Sequence, residues 1–172
     1  MKATGVIRRI DDLGRIVIPK EIRKSFKINE GDSLEIFVDN NQIILNKYSL
    51  LDNMVEMATK LVDVVKMVYK KNILITNKNS VIACSNELSK NYLNSELVNS
   101  IKDKLQNREE FLSQDPSNII MKLDLTDSYF LVPIIVNSDC IGSVVLIDDD
   151  FTDEDKSLVR LIASILIKNV EE

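Results

Sequence analysis

A chain of 172 residues, 45% apolar and 28% charged, is long enough for one ordinary domain or a small domain beside a compact second one, and too apolar to stay disordered. It has no histidine and two cysteines far apart, which argues against zinc sites, Ser-His or Cys-His nucleophile pairs and imidazole acid-base chemistry; no catalytic residue, metal ligand or cofactor is assigned. The net charge of −5 is unevenly spread: residues 1–27 hold eight Lys and Arg against three acids, a net of +5, which leaves −10 for residues 28–172.

Taken in chain order, residues 4–10 and 15–18 are short and β-branched and flank Asp11-Asp12-Leu13-Gly14, where the glycine supplies the positive φ of a turn; a hairpin is expected there. Pro19 fits the first turn of a helix that should run to about Ile28. On that helix Lys20, Arg23, Lys24 and Lys27 recur at i, i+3, i+4 and i+7, so they share a face opposite Ile22 and Phe26. A basic heptad is as often a solvated surface as a binding one. Arg8, Arg9 and Arg15 on the preceding runs shift the reading toward phosphate. A second strand pair, Leu34–Val38 and Ile43–Lys47, comes next, its alternation suited to a sheet with one better-buried face. Fifty such residues cannot bury much core without disulfide or metal, so two copies are expected to share one core and set two basic surfaces side by side.

Over residues 51–71 the apolar period changes to a heptad seam, Leu51, Met54, Ala58, Leu61, Val65 and Val68, flanked by Val55, Val62 and Tyr69. This is expected to be a linker helix that both packs on the C-terminal domain and joins chains. Strands are expected at 73–76, 81–84, 129–136 and 141–147, with a helix near 95–106. Thr152 caps a terminal helix with Asp153, Glu154 and Asp155 in its first turn and Leu158, Leu161, Ile162, Ile165 and Leu166 along one side. Cys84 and Cys140 read as buried, reduced thiols. With no leader-like stretch in residues 1–9 and no apolar run of membrane length, a cytoplasmic, nucleoid-associated protein with no membrane partner is expected.

The run MKATGVIRRIDDLGRIVIPKEIRKSFKINEGDSLEIFVDNNQIILNKYS resembles the AbrB-type DNA-binding domain of Gram-positive transition-state regulators, most specifically in Gly-Arg-Ile-Val-Ile-Pro followed by Glu-Ile-Arg. The second half resembles a GAF domain, and the whole chain is similar to sporulation regulators that join the two. The resemblance implies an all-β-dominated swapped-hairpin barrel over 1–50, in which two chains interleave, the linker and dimerisation helix over 51–71, and an α+β GAF-like domain over 72–172 with an antiparallel sheet flanked by helices. It implies a DNA-binding transcriptional activator and repressor of sporulation genes. Double-stranded, A·T-rich DNA is the expected partner, and the chain itself is expected to form a homodimer and a homotetramer. The DNA-contacting positions it carries over are Arg8, Arg15, Arg23 and Lys24, the last standing where arginine is common and so keeping charge but losing bidentate geometry. The charge pattern adds Arg9 and Lys20, with Lys2 and Lys27 as peripheral phosphate contacts. A small-molecule effector of the GAF-like domain is a further expectation, its identity and its binding residues unknown. Two other readings stay open: an antitoxin-like module that neutralises a protein partner, and a methionine-sulfoxide-reducing enzyme whose thiols would be Cys84 and Cys140.

Overall fold

The computed structural model describes residues 5–30, 32–48, 51, 54–122 and 126–170. The chain divides into two compact units, 1–48 and 49–172.

In the first unit the turn at 11–14 forms as the sequence implies, with Gly14 at φ +76°, the Gly14 N–H on the Asp11 carbonyl and the Asp11 N–H on the Arg15 carbonyl. The arms do not become strands: residues 5–10 and 15–19 carry no ladder among the described residues, which corrects the hairpin expected within one chain. Two short arms with no third strand beside them lack the cross-strand partners that make a ribbon stable. Helix α1, Lys20–Ser25, also ends sooner than expected, and Pro19 stands at its N-cap, before the first turn. Lys27 sits in the left-handed region at φ 51°, with its N–H on the Lys24 carbonyl and the Ile28 N–H on the Arg23 carbonyl. This is a Schellman stop with lysine in the place glycine usually takes, and it removes Lys27 from the helical face of Lys20, Arg23 and Lys24. Strands β1, Leu34–Asp39, and β2, Gln42–Lys47, pair antiparallel through Asn40 and Asn41, both at positive φ as a two-residue primed turn requires. The better-buried face expected here is not found: no described residue up to Tyr48 is buried, and Ile36, Val38 and Ile43 stand at least 66% exposed.

The second unit is a three-layer α+β domain. Helix α2, Val55–Tyr69, leads into β3, Asn72–Asn77, and β4, Val81–Cys84; helices α3, Asn86–Tyr92, and α4, Asn99–Asn107, come after them. Then come β5, Phe111–Ser117, β6, Asp127–Val136, and β7, Asp139–Ile147, and helix α5, Asp153–Val170, closes the chain. Helix α3 and strand β5 have no counterpart among the expected elements, because Asn-, Ser- and Lys-rich α3 and Pro-containing β5 show little apolar period. The sheet order is β4-β3-β7-β6-β5, with every pair antiparallel. Residues alternate between its faces. Ile73, Ile75, Phe130, Val132, Ile134, Val144 and Leu146 meet α2 and α5, whereas Leu74, Tyr129, Leu131 and Val145 meet α3, α4 and the Ile119-Ile120 segment. Burial on both faces explains why β6 reads as a continuous apolar run rather than an alternation. Pro133 lies where β6 has passed the start of β5, paired to β7 alone, so its missing N–H disrupts no second ladder.

Helix α2 buries Ala58, Val62 and Val65, while Val68 and Tyr69 of the expected stripe are more than half exposed. On α5 the buried face is Leu158, Val159, Ile162, Ala163 and Leu166; Leu161 is 56% exposed, a correction to the side assigned to it. Thr152 and Asp155 form a reciprocal cap, the Asp155 N–H donating to Thr152 Oγ1 at 3.1 Å and the Thr152 N–H to Asp155 Oδ2 at 3.0 Å.

Two features of this unit are sensitive to small changes. At Gly142 on β7 a Cβ would lie 1.9 Å from the Thr76 carbonyl oxygen and 2.6 Å from Leu51 Cδ1, beside the buried Thr76–Ser143 hydroxyl pair at 2.7 Å. Backbone on one side and a fully buried side chain on the other leave no room to yield. Gly142→Ala is expected to destabilise the second unit by about 3 kcal/mol, read as a lower urea midpoint of the full chain. Between α2 and β3, Lys71 bridges Asp148 at 2.8 Å and Asp155 at 3.0 Å. Burial alone would raise both carboxyls, but hydrogen bonds from Lys71 and, at Asp155, from Thr152 hold them below 3.8, while the Asp148 and Asp155 contacts keep Lys71 above 10.5 despite burial. The depressed acids contribute stability that is present above about pH 3.9 and lost as pH falls through their folded values; the raised lysine contributes below about pH 10.4 and fades above it. A Lys71→Met variant should therefore lose stability across that window and show a flatter acid limb than the parent in pH-dependent thermal unfolding.

Candidate nucleic-acid interface

The basic residues of the first unit rest on three elements, the first arm, the turn after it and the short helix that follows. Lys20, Arg23 and Lys24 are exposed on α1, within one turn of each other by helical spacing, and Arg8 and Arg9 are exposed on the first arm. None of these five meets a carboxylate among the described residues. A guanidinium or ammonium held at a surface without an acid partner keeps its donors for an anion. Arg8 Nη1 donates to the carbonyl of Ile7 at 3.1 Å, and its side chain lines an open groove of about 380 Å³ with Ile16, Val17, Ile22 and Phe26. The helix's apolar underside and the first arm therefore face the same space. Lys2 lies outside the described residues.

Arg15 differs from the others. Its Nε donates to Asp11 Oδ2 at 2.8 Å, and Asp11 Oδ1 accepts the backbone N–H of Arg15 at 2.7 Å and of Leu13 at 3.1 Å. These hydrogen bonds, the Arg15 N–H first and its guanidinium second, hold the Asp11 carboxyl below the usual carboxylate value. Sequence reasoning names Arg15 without its partner; an Asp followed four residues later by Arg across a Gly-containing turn is the signal that could have found it.

In the second unit the two thiols are buried on the α3/α4 side of the sheet, and burial pushes both upward, away from thiolate. Cys84 lies opposite Leu74, which lies opposite Val145, so Cys140 is five residues along β7 from the level of Cys84. That is roughly 16 Å along the strand in addition to two strand spacings, beyond the reach of a disulfide. The same side of the sheet is filled by Tyr92, Leu97, Ile101, Leu105 and Ile120. Tyr92 is held there by a hydrogen bond from its hydroxyl to Asp127, and burial followed by that carboxylate pushes its ionisation far above the ordinary phenol value. Among the described residues no cluster of Cys, Asp and Glu could hold a metal ion, and no helix is long and apolar enough to cross a membrane.

Comparison with known proteins places these units. The family model for the C-terminal domain of stage V sporulation protein T, a transcription factor, matches residues 53–171. A second, for the bacterial antitoxin MazE in antidote-toxin recognition, matches residues 7–50. Stage V sporulation protein T of Bacillus subtilis (strain 168) is 36% identical over 178 residues, covering 100% of each chain. The transition state regulatory protein AbrB of the same organism is 56% identical over 48 residues, which cover 28% of this chain and 50% of that one. A GAF domain/HD domain protein from Geobacter sulfurreducens is 16% identical, with a TM-score of 0.51 over 70% of this chain and 94% of that one, a likeness of fold alone. Because the relatedness runs from end to end and the transcription-factor model spans nearly all of the second unit, the chain belongs to the stage V sporulation protein T family, as a regulator with an AbrB-type first unit and a GAF-like second unit rather than an enzyme.

Proposed function

We propose that this chain binds A·T-rich duplex DNA through Arg8, Arg9, Arg15, Lys20, Arg23 and Lys24 as an interleaved homodimer, activating some sporulation genes and repressing others. One observation carries the reading: a unit with no buried residue among those described, whose apolar side chains stand open beside a cationic helix face without acid partners. A second copy that pairs with the open arms supplies the missing core and doubles the basic surface about a two-fold axis. The relatives support it, since AbrB is named a transition state regulatory protein and solved AbrB domains are described as DNA recognition domains. Phosphate neutralisation then supplies most of the affinity, and the narrow, electronegative minor groove of A·T tracts the modest preference. Such a protein works in the cytoplasm, on the nucleoid.

In the same proposal the second unit joins two dimers into a tetramer and senses a small molecule. On α2 the residues Val64, Met67 and Val68 are 51%, 66% and 57% exposed, an apolar strip on the side away from the core. Covering it with the same strip of another copy is the expected route to the tetramer. A ligand of the second unit would act by favouring one arrangement of the DNA-binding dimers. A compound that stabilises this unit in thermal unfolding yet leaves DNA affinity unchanged counts against sensing.

The antitoxin-like reading draws support from the match over residues 7–50. A toxin-neutralising tail is extended and poor in core, whereas residues 54–170 build a sheet buried on both faces. Rapid proteolysis of this half in the intact protein would favour that reading; resistance favours the regulator.

Titration of a labelled A·T-rich duplex with the full chain, followed by anisotropy at several salt concentrations, tests the main reading. The expected slope of log affinity against log salt is about −0.9 per phosphate neutralised, and an Arg8→Ala, Arg15→Ala, Arg23→Ala variant should lose roughly three units of slope and at least about 100-fold in affinity. Equal, weak binding by both proteins would turn attention to a protein partner. A Val64→Lys, Val68→Lys variant should sediment as a dimer while keeping its far-UV circular dichroism and salt-dependent DNA binding.

A further inference from the structure

Asp11 is an acid placed inside the most basic segment of the chain, where Coulomb attraction to a polyanion would be better served without it. Its oxygens divide two tasks. Oδ1 takes the N–H groups of Leu13 and Arg15 and so closes the turn around Gly14, and Oδ2 takes the Nε–H of Arg15. The guanidinium, 71% exposed at its side chain, meets the carboxylate through Nε, and its two terminal amino groups make no hydrogen bond to it, which keeps their donors for a phosphate or a guanine or thymine acceptor. An ion pair this exposed adds little to folding stability, so a fold-stabilising purpose does not account for it. A free arginine at such a site loses much rotamer freedom on binding; one already anchored through Nε loses less.

We propose that Asp11 is a positioning residue that presents Arg15 to DNA in a fixed orientation, an inference that rests on the DNA-binding reading given above. It works through Arg15 and touches no nucleic acid itself. The neighbouring Asp12 provides the contrast, since it makes no contact with Arg15 and its removal changes charge alone.

The test uses the full chain and two duplexes of equal length, one A·T-rich and one G·C-rich, in anisotropy titrations at one salt concentration. Asp11→Asn keeps an oxygen for the two backbone N–H groups, so the turn survives, but turns an amide donor against the Nε–H of Arg15. It is expected to weaken binding to the A·T-rich duplex by about tenfold and to narrow the preference between duplexes, although the variant is one unit more positive. Asp12→Asn should bind as the parent does or slightly tighter. In an Arg15→Ala background, Asp11→Asn should weaken binding no further, the non-additivity expected of two residues acting as one. Asp11→Asn behaving like Asp12→Asn would overturn the positioning role while leaving Arg15 as a contact. Arg15→Ala binding as the parent does would instead overturn the contact itself, and the positioning role with it.

Discussion

Burial is satisfied in one half of this chain and unsatisfied in the other, and most of its organisation derives from that difference. In the second unit five antiparallel strands are covered on both faces, so Ile73, Leu74, Ile75, Leu131, Val144 and Val145 reach complete burial whichever side they point to. In the first unit apolar side chains of the same kind, Ile7, Val17, Ile36 and Val38 among them, remain at least 66% exposed. At about 25 cal/mol per Å² of apolar surface, leaving such residues in water forgoes the main driving force for folding. The first unit thus lacks a core of its own among the described residues, and in the proposed reading its arms and groove are covered by another copy of themselves.

Electrostatics divides along the same line. Positive charge gathers on the arms and on α1, where no described acid meets Arg8, Arg9, Lys20, Arg23 or Lys24. In the second unit several cations are paired internally: Lys71 with Asp148 and Asp155, Lys78 with Asp139, Lys102 with Glu96, and Arg160 by a two-pronged contact with Glu110 at 2.8 and 2.7 Å. The acidic second unit repels a polyanion and the cationic face of the first attracts one, the division on which the proposed DNA contact rests. Arg15 is the exception within the basic set, and its pairing with Asp11 trades net attraction for a defined orientation.

The position of Lys71 shows how the second unit is tied together at a single corner. It stands just after the left-handed residue Lys70 that stops α2, and its ammonium reaches the loop after β7 and the cap of α5 at once. Helices α2 and α5, which lie on one side of the sheet, and the end of β7 are therefore joined through one charge as well as through their shared core. Gly142 tightens the opposite end of β7, where the approach of the Thr76 carbonyl and Leu51 excludes any side chain.

The sequence by itself determined the charge asymmetry, the family resemblance, the strands β3, β4, β6 and β7, and the Thr152 cap, because β-branched runs, turn residues and caps are local signals. It also carried the expectation that residues 1–50 need a second copy, since too little core is visible in that length. Tertiary structure alone decided which residues of α2 and α5 face inward, for a widened apolar stripe such as that of Leu161 and Ile162 leaves several rotations equally good until a sheet selects one. It alone placed α3 and β5, whose polar sequences are held by neighbours rather than by their own period. The shortened α1 depends on a left-handed Lys27 that residue type does not announce, whereas the turn at Gly14 is legible in the sequence and the structure adds the contact of Arg15 with Asp11 across it. The arms at 5–10 and 15–19 mark the physical limit: their β-branched residues have the propensity for strand, but a strand exists only where a partner backbone accepts its hydrogen bonds.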